Sequence, residues 1–313
     1  METQGIGTPA FWIGFTVFIL VMLFLDLAVF HRKVHEVRFR EAVGWSVFWI
    51  LLALVFNAGI YYWFGTQRAL EFLTGYAIEK ALSVDNLFVF LVIFTYFSVP
   101  AAYQHRVLFY GILGALVLRV IFILVGASLL HHFHWVIYLF GAFLIYTGIR
   151  FLFHAPEEFD PARSYAVRLF RWFVPTSEAY DGPRFFTREN GRRRATPLLL
   201  VLATVEATDV VFAVDSIPAI FAITEDPFIV YTSNVFAILG LRSLYFLLSG
   251  SISKFQYLHI GLALVLMFVG LKMLVAQYYK IPIVVSLGVV AALIAGSIVA
   301  SLIVRPRTPP ETD

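Results

Sequence analysis

Apolar residues run along this chain in long blocks, with no sustained two-residue alternation. Nine stretches have the length of a bilayer crossing, some of them interrupted: roughly 9–30, 41–63, 71–97, 104–127, 133–153, 197–222, 227–249, 257–278 and 282–304. A helix needs about 20 apolar residues to cross the hydrocarbon core. The pattern predicts an all-α, polytopic membrane helix bundle of about nine spans, and nothing in it supports a transmembrane barrel. The first block follows no basic segment and no small-residue cleavage site, so it reads as a retained helix rather than a signal peptide. Connections are short except for residues 154–196.

Composition agrees. Of 313 residues, 60% are hydrophobic and 14% charged; a soluble domain has about 25% charged residues. Cysteine is absent, which excludes disulfides, thiol redox chemistry, Cys-ligated zinc and iron–sulfur clusters.

Lysine and arginine placement orients the bundle. With the N-terminus outside, the inner connections hold Arg32, Lys33, Arg38, Arg40, Arg106, the eight arginines between 163 and 194, Lys254, Arg305 and Arg307, which makes 16. Only Arg68 and Lys280 fall outside. The expected arrangement is N-out and C-in. Within 154–196, Pro156, Pro161, Pro175 and Pro183 argue against a continuous domain. Tyr165, Val167, Phe170, Trp172 and Phe173 alternate with Arg168 and Arg171 as in an interfacial helix. Arg192-Arg193-Arg194, just before the sixth span, suits anionic lipid or a plain positive-inside anchor.

The informative residues are charges inside the apolar blocks. Glu79, Lys80, Asp85 and Asn86 lie in the third span; Glu206, Asp209 and Asp215 lie in the sixth; Asp26, Arg119 and Arg242 lie in the first, fourth and seventh. Each central carboxylate costs about 2.5–3.5 kcal/mol against lipid, so five would cost on the order of 12–17 kcal/mol. They must face one another, water or a cation. Pairing with Lys80, Arg119 and Arg242 is the structural alternative. Five acids against three bases leaves two negative charges, which a divalent cation would balance. Carboxylates with Asn86, Ser83, Thr208 and Ser216 are hard oxygen donors, suited to Mn, Mg or Ca. His131, His132 and His134 cluster between spans four and five, where an interfacial connection explains them as well as contact with departing metal does.

Spacing suggests duplication. Six residues separate Glu79 from Asp85 and again Asp209 from Asp215, although Asp85 pairs equally well with Asp209. Leu82-Ser83-Val84-Asp85-Asn86 resembles Phe212-Ala213-Val214-Asp215-Ser216, and Ile112-Leu113-Gly114 returns as Ile238-Leu239-Gly240. The predicted organisation is a two-helix segment (1–70), a first three-helix repeat (71–153), a loop (154–196), a second repeat (197–280), and a final helix with tail (281–313). Three-span copies must run in opposite directions, as inverted repeats of secondary transporters do. On a straight helix a six-residue step turns 600°, leaving the carboxylates 120° apart. Convergence of Asp209 and Asp215 therefore predicts a helix break, for which Pro218 supplies a cause.

No Walker A loop is present, His35-Glu36 lacks the second His of a zinc protease, and no Gly-x-Gly-Asp supports an aspartyl protease. An enzyme is not expected.

The string Glu79-Lys80-Ala81-Leu82-Ser83-Val84-Asp85-Asn86 and the run from Thr196-Pro197 to Tyr245-Phe246 resemble the TerC family of integral membrane proteins, most closely its Alx-like branch. The likeness covers roughly residues 10–304, with no departure at the acidic positions. It implies a bacterial inner-membrane protein in a superfamily of cation and amino-acid exporters, associated with manganese efflux and alkaline response. The family's acidic membrane residues fall on Glu79, Asp85, Glu206, Asp209 and Asp215. Family names also allude to tellurite and redox modulation. An acid-lined site repels the tellurite anion, and a chain without cysteine runs no thiol redox chemistry.

The sequence thus predicts a secondary transporter exporting Mn(II), in exchange for protons or down a gradient, with Glu79, Asp85, Asn86, Glu206, Asp209 and Asp215 as ligands. Its partners are the lipid bilayer and a divalent cation, without organic cofactor or nucleic acid. The rival readings are an exporter of a cationic organic solute, and a scaffold that delivers metal to secreted proteins without transport of its own.

Overall fold

A computed structural model describes residues 5–25, 39–133, 135–153, 167, 170, 172, 174–177, 179–189, 192–248 and 257–303, apart from the side chain of Asp85. Asp26, His134, the basic residues 32–38, 254, 305 and 307, and most of 154–173 lie outside these residues. The described chain is almost wholly helical: α1 Pro9–Leu25, α2 Phe39–Tyr96, α3 Ala101–His132, α4 Val136–Phe153, then a two-stranded hairpin, then α5 Pro197–Phe221, α6 Pro227–Leu239, α7 Leu241–Leu248, α8 Leu258–Val275 and α9 Ile283–Ile303. Seven helices are long and apolar enough to cross a membrane, and α1 is a shorter apolar helix beside them. Large apolar side chains are exposed on the outside, among them Val55, Val117, Val211 and Val299, while the polar ones discussed below are buried. That inside-out distribution suits a protein whose solvent is lipid.

The 58 residues of α2 would extend about 87 Å if straight. They do not, because Gly65 adopts φ 85° and ψ 177°, a conformation open to glycine and strained for other residues. The ring centroids of Phe56 and Phe72 lie 5.4 Å apart across this point. Sixteen residues of straight helix would separate them by about 24 Å, so the two halves fold back on each other. The sequence predicts a connection at 64–70; a single glycine makes it.

At the centre lies α6, every side chain from Phe228 to Leu239 being buried. Asp226 caps it, accepting from Phe228 N at 3.0 Å, and also accepts from Ile6 N at 2.7 Å, tying down the segment before α1. Trp12 of α1 stacks on Tyr231 at 5.1 Å. Next to this cap, Glu71 receives Thr224 Oγ1 at 2.8 Å and Arg68 Nη1 at 2.9 Å.

Three helix pairs fix the remaining arrangement. In α2 and α6, Gly75 lies against Ser233 and Lys80 Nζ donates to Ala237 O at 3.1 Å, so the pair runs parallel. In α3 and α5, Gly111 meets Val205 and Gly126 meets Phe221, again parallel. In α4 and α8, Gly141 faces Gly270 and Gly148 faces Ala263, an antiparallel pair. Missing side chains there bring backbone against backbone, as small residues do between membrane helices.

Strands β1 Phe186–Glu189 and β2 Arg192–Ala195 pair antiparallel, with Phe186 opposite Ala195 and Arg188 opposite Arg193. The sequence reading contains no strand in this loop, and the hairpin corrects it. It is pinned to the helix ends: Thr196 Oγ1 donates to Arg184 O at 2.7 Å, and Tyr180 Oη to Phe97 O at 2.7 Å. Burial pushes the Tyr180 hydroxyl up to about 12.

Candidate functional site

Asp209 is the middle residue of α5, thirteenth of 25. Around it the described membrane acids separate into two groups. In the first, Arg119 of α3 is completely buried. Its Nη1 donates to Glu79 Oε1 of α2 at 2.5 Å and to Ser216 Oγ of α5 at 3.0 Å. Its Nη2 donates to Asp209 Oδ1 at 3.3 Å. One guanidinium thus joins three helices, the fork geometry suiting two carboxylates at once.

Glu206 stands one turn before Asp209, and residues at i and i+3 share a helix face. Its carboxylate packs directly on Gly114 of α3, where any Cβ would overlap it. A side chain at Gly114 would therefore have to push the carboxylate opposite aside. Glu206 Oε2, Asp209 Oδ2 and Glu79 Oε2 are all buried without a hydrogen-bond partner. Such orphaned acceptors cost about 1–3 kcal/mol each, more when charged. Two carboxylates on one guanidinium, plus Glu206, sum to a formal charge of −2 when ionised.

The second group is Asp215 with Asn86. Asp215 Oδ1 receives Thr147 Oγ1 of α4 at 3.1 Å. Asp215 and Asn86 line a small cleft with Leu82, Phe151, Phe212 and Ser216. The expected break in α5 is not found: the helix continues through Pro218 to Phe221. Pro218 lies in the last turn, where little helix remains to be displaced. Asp215 consequently keeps its 120° offset and faces α4 instead of Asp209. Among the described residues Ser216, held by Arg119, is the side chain common to both groups.

The structural alternative holds for Arg119. Arg119 pairs with Glu79 and Asp209. Lys80 turns to the Ala237 carbonyl, and Arg242 is buried beside Trp45, Trp49, Leu239 and Phe246. The Thr208 hydroxyl is engaged by Val205 O at 2.7 Å, whereas Ser83 Oγ is buried and unpartnered. His132 Nδ1 lies 2.8 Å from Ser128 O at the end of α3. Among the described residues, no three His, Asp or Glu side chains converge as a ready-made metal cage.

The sequence reading omits Asn234. It is fully buried on α6, with neither amide atom partnered. Ser233 against Gly75 and Ala237 receiving Lys80 bracket it, so the stretch of α2 that holds Glu79 runs beside the stretch of α6 that holds Asn234. The available signal was an amide inside a membrane span, eight residues before Arg242.

Comparison with known proteins adds independent information. The family model described as "Integral membrane protein TerC family" matches residues 64–309. "Uncharacterized membrane protein STKORF319" of Myxococcus xanthus is 55% identical over 314 residues, covering 100% of this chain and 98% of its own. "Putative membrane-bound redox modulator Alx" of Salmonella typhi is 50% identical over 303 residues, 94% of each chain. The protein of the same printed name from Escherichia coli (strain K12) is 48% identical over 312 residues, 96% of this chain and 97% of its own. No solved structure matches.

Proposed function

The chain belongs to the TerC family of integral membrane proteins, and from that premise we propose that it is a secondary transporter exporting divalent metal, foremost Mn(II), across the bacterial inner membrane. The observation that carries this reading is the pair of buried, unpartnered carboxylate oxygens on Glu79 and Asp209 beside one guanidinium, with a third on Glu206 one helical turn from Asp209. Hard oxygen donors with an excess of two negative charges suit a hard divalent cation. Asn86 and Asp215 extend the ligand set across Ser216, Asp85 belongs to it on its place in the sequence alone, and Asn234 adds a neutral oxygen donor from α6.

Arg119 takes the part of a tethered counter-cation in this proposal. With no metal bound, its guanidinium holds the carboxylates apart and neutralises part of their charge. Entering metal displaces it, and its return expels the metal on the other side. Carboxylates that bind metal give up their protons, which makes proton exchange the natural coupling.

The architecture behind the proposal is nine spans, N-out and C-in, with the chain turning at Gly65 and two inverted three-helix repeats. Helix directions support the repeat. If the second half of α2, α3 and α4 correspond to α5, α6–α7 and α8, inversion requires α2 parallel to α6, α3 parallel to α5, and α4 antiparallel to α8. Those are the directions of the three pairs. Asp209 and its partners then sit midway along the helices at the repeat interface, where such transporters place their sites.

The test is flux in liposomes carrying a manganese-sensitive dye and a pH dye, wild type against Asp209→Asn and Glu79→Gln. Loss of flux in both variants, with fold retained, supports the reading. Wild-type protein that binds Mn(II) but moves none overturns it in favour of a metal-delivering scaffold.

A further inference from the structure

We propose that the exposed face of the β1–β2 hairpin binds the phosphate headgroup of an anionic phospholipid from the surrounding bilayer. Alternation along the strands sorts the hairpin into two faces. Phe186, Arg188 and Arg193 share one, and all three are exposed. The Arg193 guanidinium lies 5.4 Å over the Phe186 ring. On the other face Arg194 is paired with Glu189 at 3.1 Å.

Charge complementarity is the first argument. Arg184 takes Asp181 at 3.5 Å and Arg194 takes Glu189. Among the described residues no carboxylate is left for Arg188 or Arg193. Among the described residues the Phe186 face therefore presents two cations and an aromatic ring with no counter-anion, on a segment anchored at its base. Ala195 N donates to Pro175 O at 3.0 Å, and Ser177 N donates to Ala195 O at 2.8 Å. Arg106 at the start of α3 stacks over Phe185 at 5.1 Å.

Position is the second argument. Ala195 precedes Thr196, the N-cap of apolar α5. Phe186, opposite Ala195, stands level with the start of α5, a helix long and apolar enough to cross a membrane. The Arg188–Arg193 pair lies two residues farther along the strands, about 7 Å. A headgroup layer is about 5–8 Å deep on each side of the hydrocarbon. An aromatic ring at the interface with guanidinium groups one headgroup depth beyond it matches the order of ring-compatible glycerol region and phosphate in a phospholipid. The inference does not depend on transport.

The experiment is native mass spectrometry of the purified full chain in neutral detergent, titrated with phosphatidylglycerol or phosphatidylcholine. Wild type is expected to retain phosphatidylglycerol preferentially. Arg188→Gln/Arg193→Gln is expected to weaken it roughly thirtyfold, at about fivefold per basic residue near an anionic surface. Arg188→Lys/Arg193→Lys is expected to keep most of the preference. Arg192→Gln removes one positive charge from the opposite face and is expected to leave it unchanged. Equal loss in Arg192→Gln, no loss in the double glutamine variant, or displacement of the lipid by millimolar inorganic phosphate would each overturn the proposal. If the double variant does not fold, Phe186→Ser carries the same test.

Discussion

Arg119 holds two acids that would otherwise be bare in a low-dielectric interior. Breaking a buried ion pair by deleting one partner costs about 3–5 kcal/mol, because the other charge is left behind. Arg119→Gln should therefore lower the melting temperature of metal-free protein clearly, and Mn(II) should restore more stability to it than to wild type, since the ion no longer competes with the guanidinium. Thermal unfolding with and without Mn(II) checks both halves. An unstable variant indifferent to Mn(II) would make Arg119 a structural tie only. Asn234 tests the same site from α6. An unpartnered buried amide costs about 1–3 kcal/mol, so the similarly sized Asn234→Leu is expected to be neutral or stabilising without metal. It should nevertheless lose most of the Mn(II)-induced shift. Destabilisation with an unchanged metal shift would remove Asn234 from the ligand set.

Between helices, the close contact of Glu206 with Gly114 makes its own prediction. Gly114→Ala must push the carboxylate aside or part α3 from α5, and overpacking of that kind costs about 1–3 kcal/mol. Since the carboxylate is a longer and softer obstacle than backbone, the expected outcome is a folded protein with weakened metal binding, read by Mn(II) titration of the purified variant. How much of this was legible follows from the periods involved. Hydrophobic blocks near 20 residues mark helices reliably, and they located the described helices closely. Acids inside such blocks pointed to a candidate site, but three bases were available and sequence offers no rule for choosing Arg119 over Lys80. The break expected in α5 is not found, because Pro218 stands in the final turn, where it does not interrupt the helix. The hairpin was missed although Asn190-Gly191 is a strong hairpin dipeptide. Its flanks are arginine-rich, and the alternating apolar pattern that normally accompanies it is absent. The same loop supplies a contact whose pH behaviour is definite. Tyr180 donates to Phe97 O and its hydroxyl is raised from 10 to about 12. This contact is protonated in folded and unfolded chains alike below about pH 10, and destabilises the fold only above it, as the unfolded tyrosine ionises first. Docking of the hairpin should therefore be unchanged between pH 6 and 9, as hydrogen exchange of Thr196 and Ala195 would report, and Tyr180→Phe should loosen it by about 1 kcal/mol.

For the molecule as a whole, the directions of the three helix pairs and the central place of Asp209 argue for one rocking unit around one site. The sign of its pH dependence can be stated. On the proposed reading, protons and metal would compete for the carboxylates of the site, so acidification would weaken metal binding and alkalinisation would strengthen it. If export exchanges metal for protons, a vesicle loaded with Mn(II) must acidify inside as the ion leaves. An imposed gradient, acid outside and alkaline inside, should speed that efflux, because protons displace metal on the release side while the loading side stays deprotonated. Reversing the gradient should slow it. Efflux that follows the metal gradient alone, with the pH dye silent, would make the protein a uniporter through the same carboxylates. Efflux abolished by Asp209→Asn in either regime keeps the site and changes only the coupling. This separates the chemistry of the acidic cluster, read from side chains, from the energetics of transport, which only the two gradients together reveal.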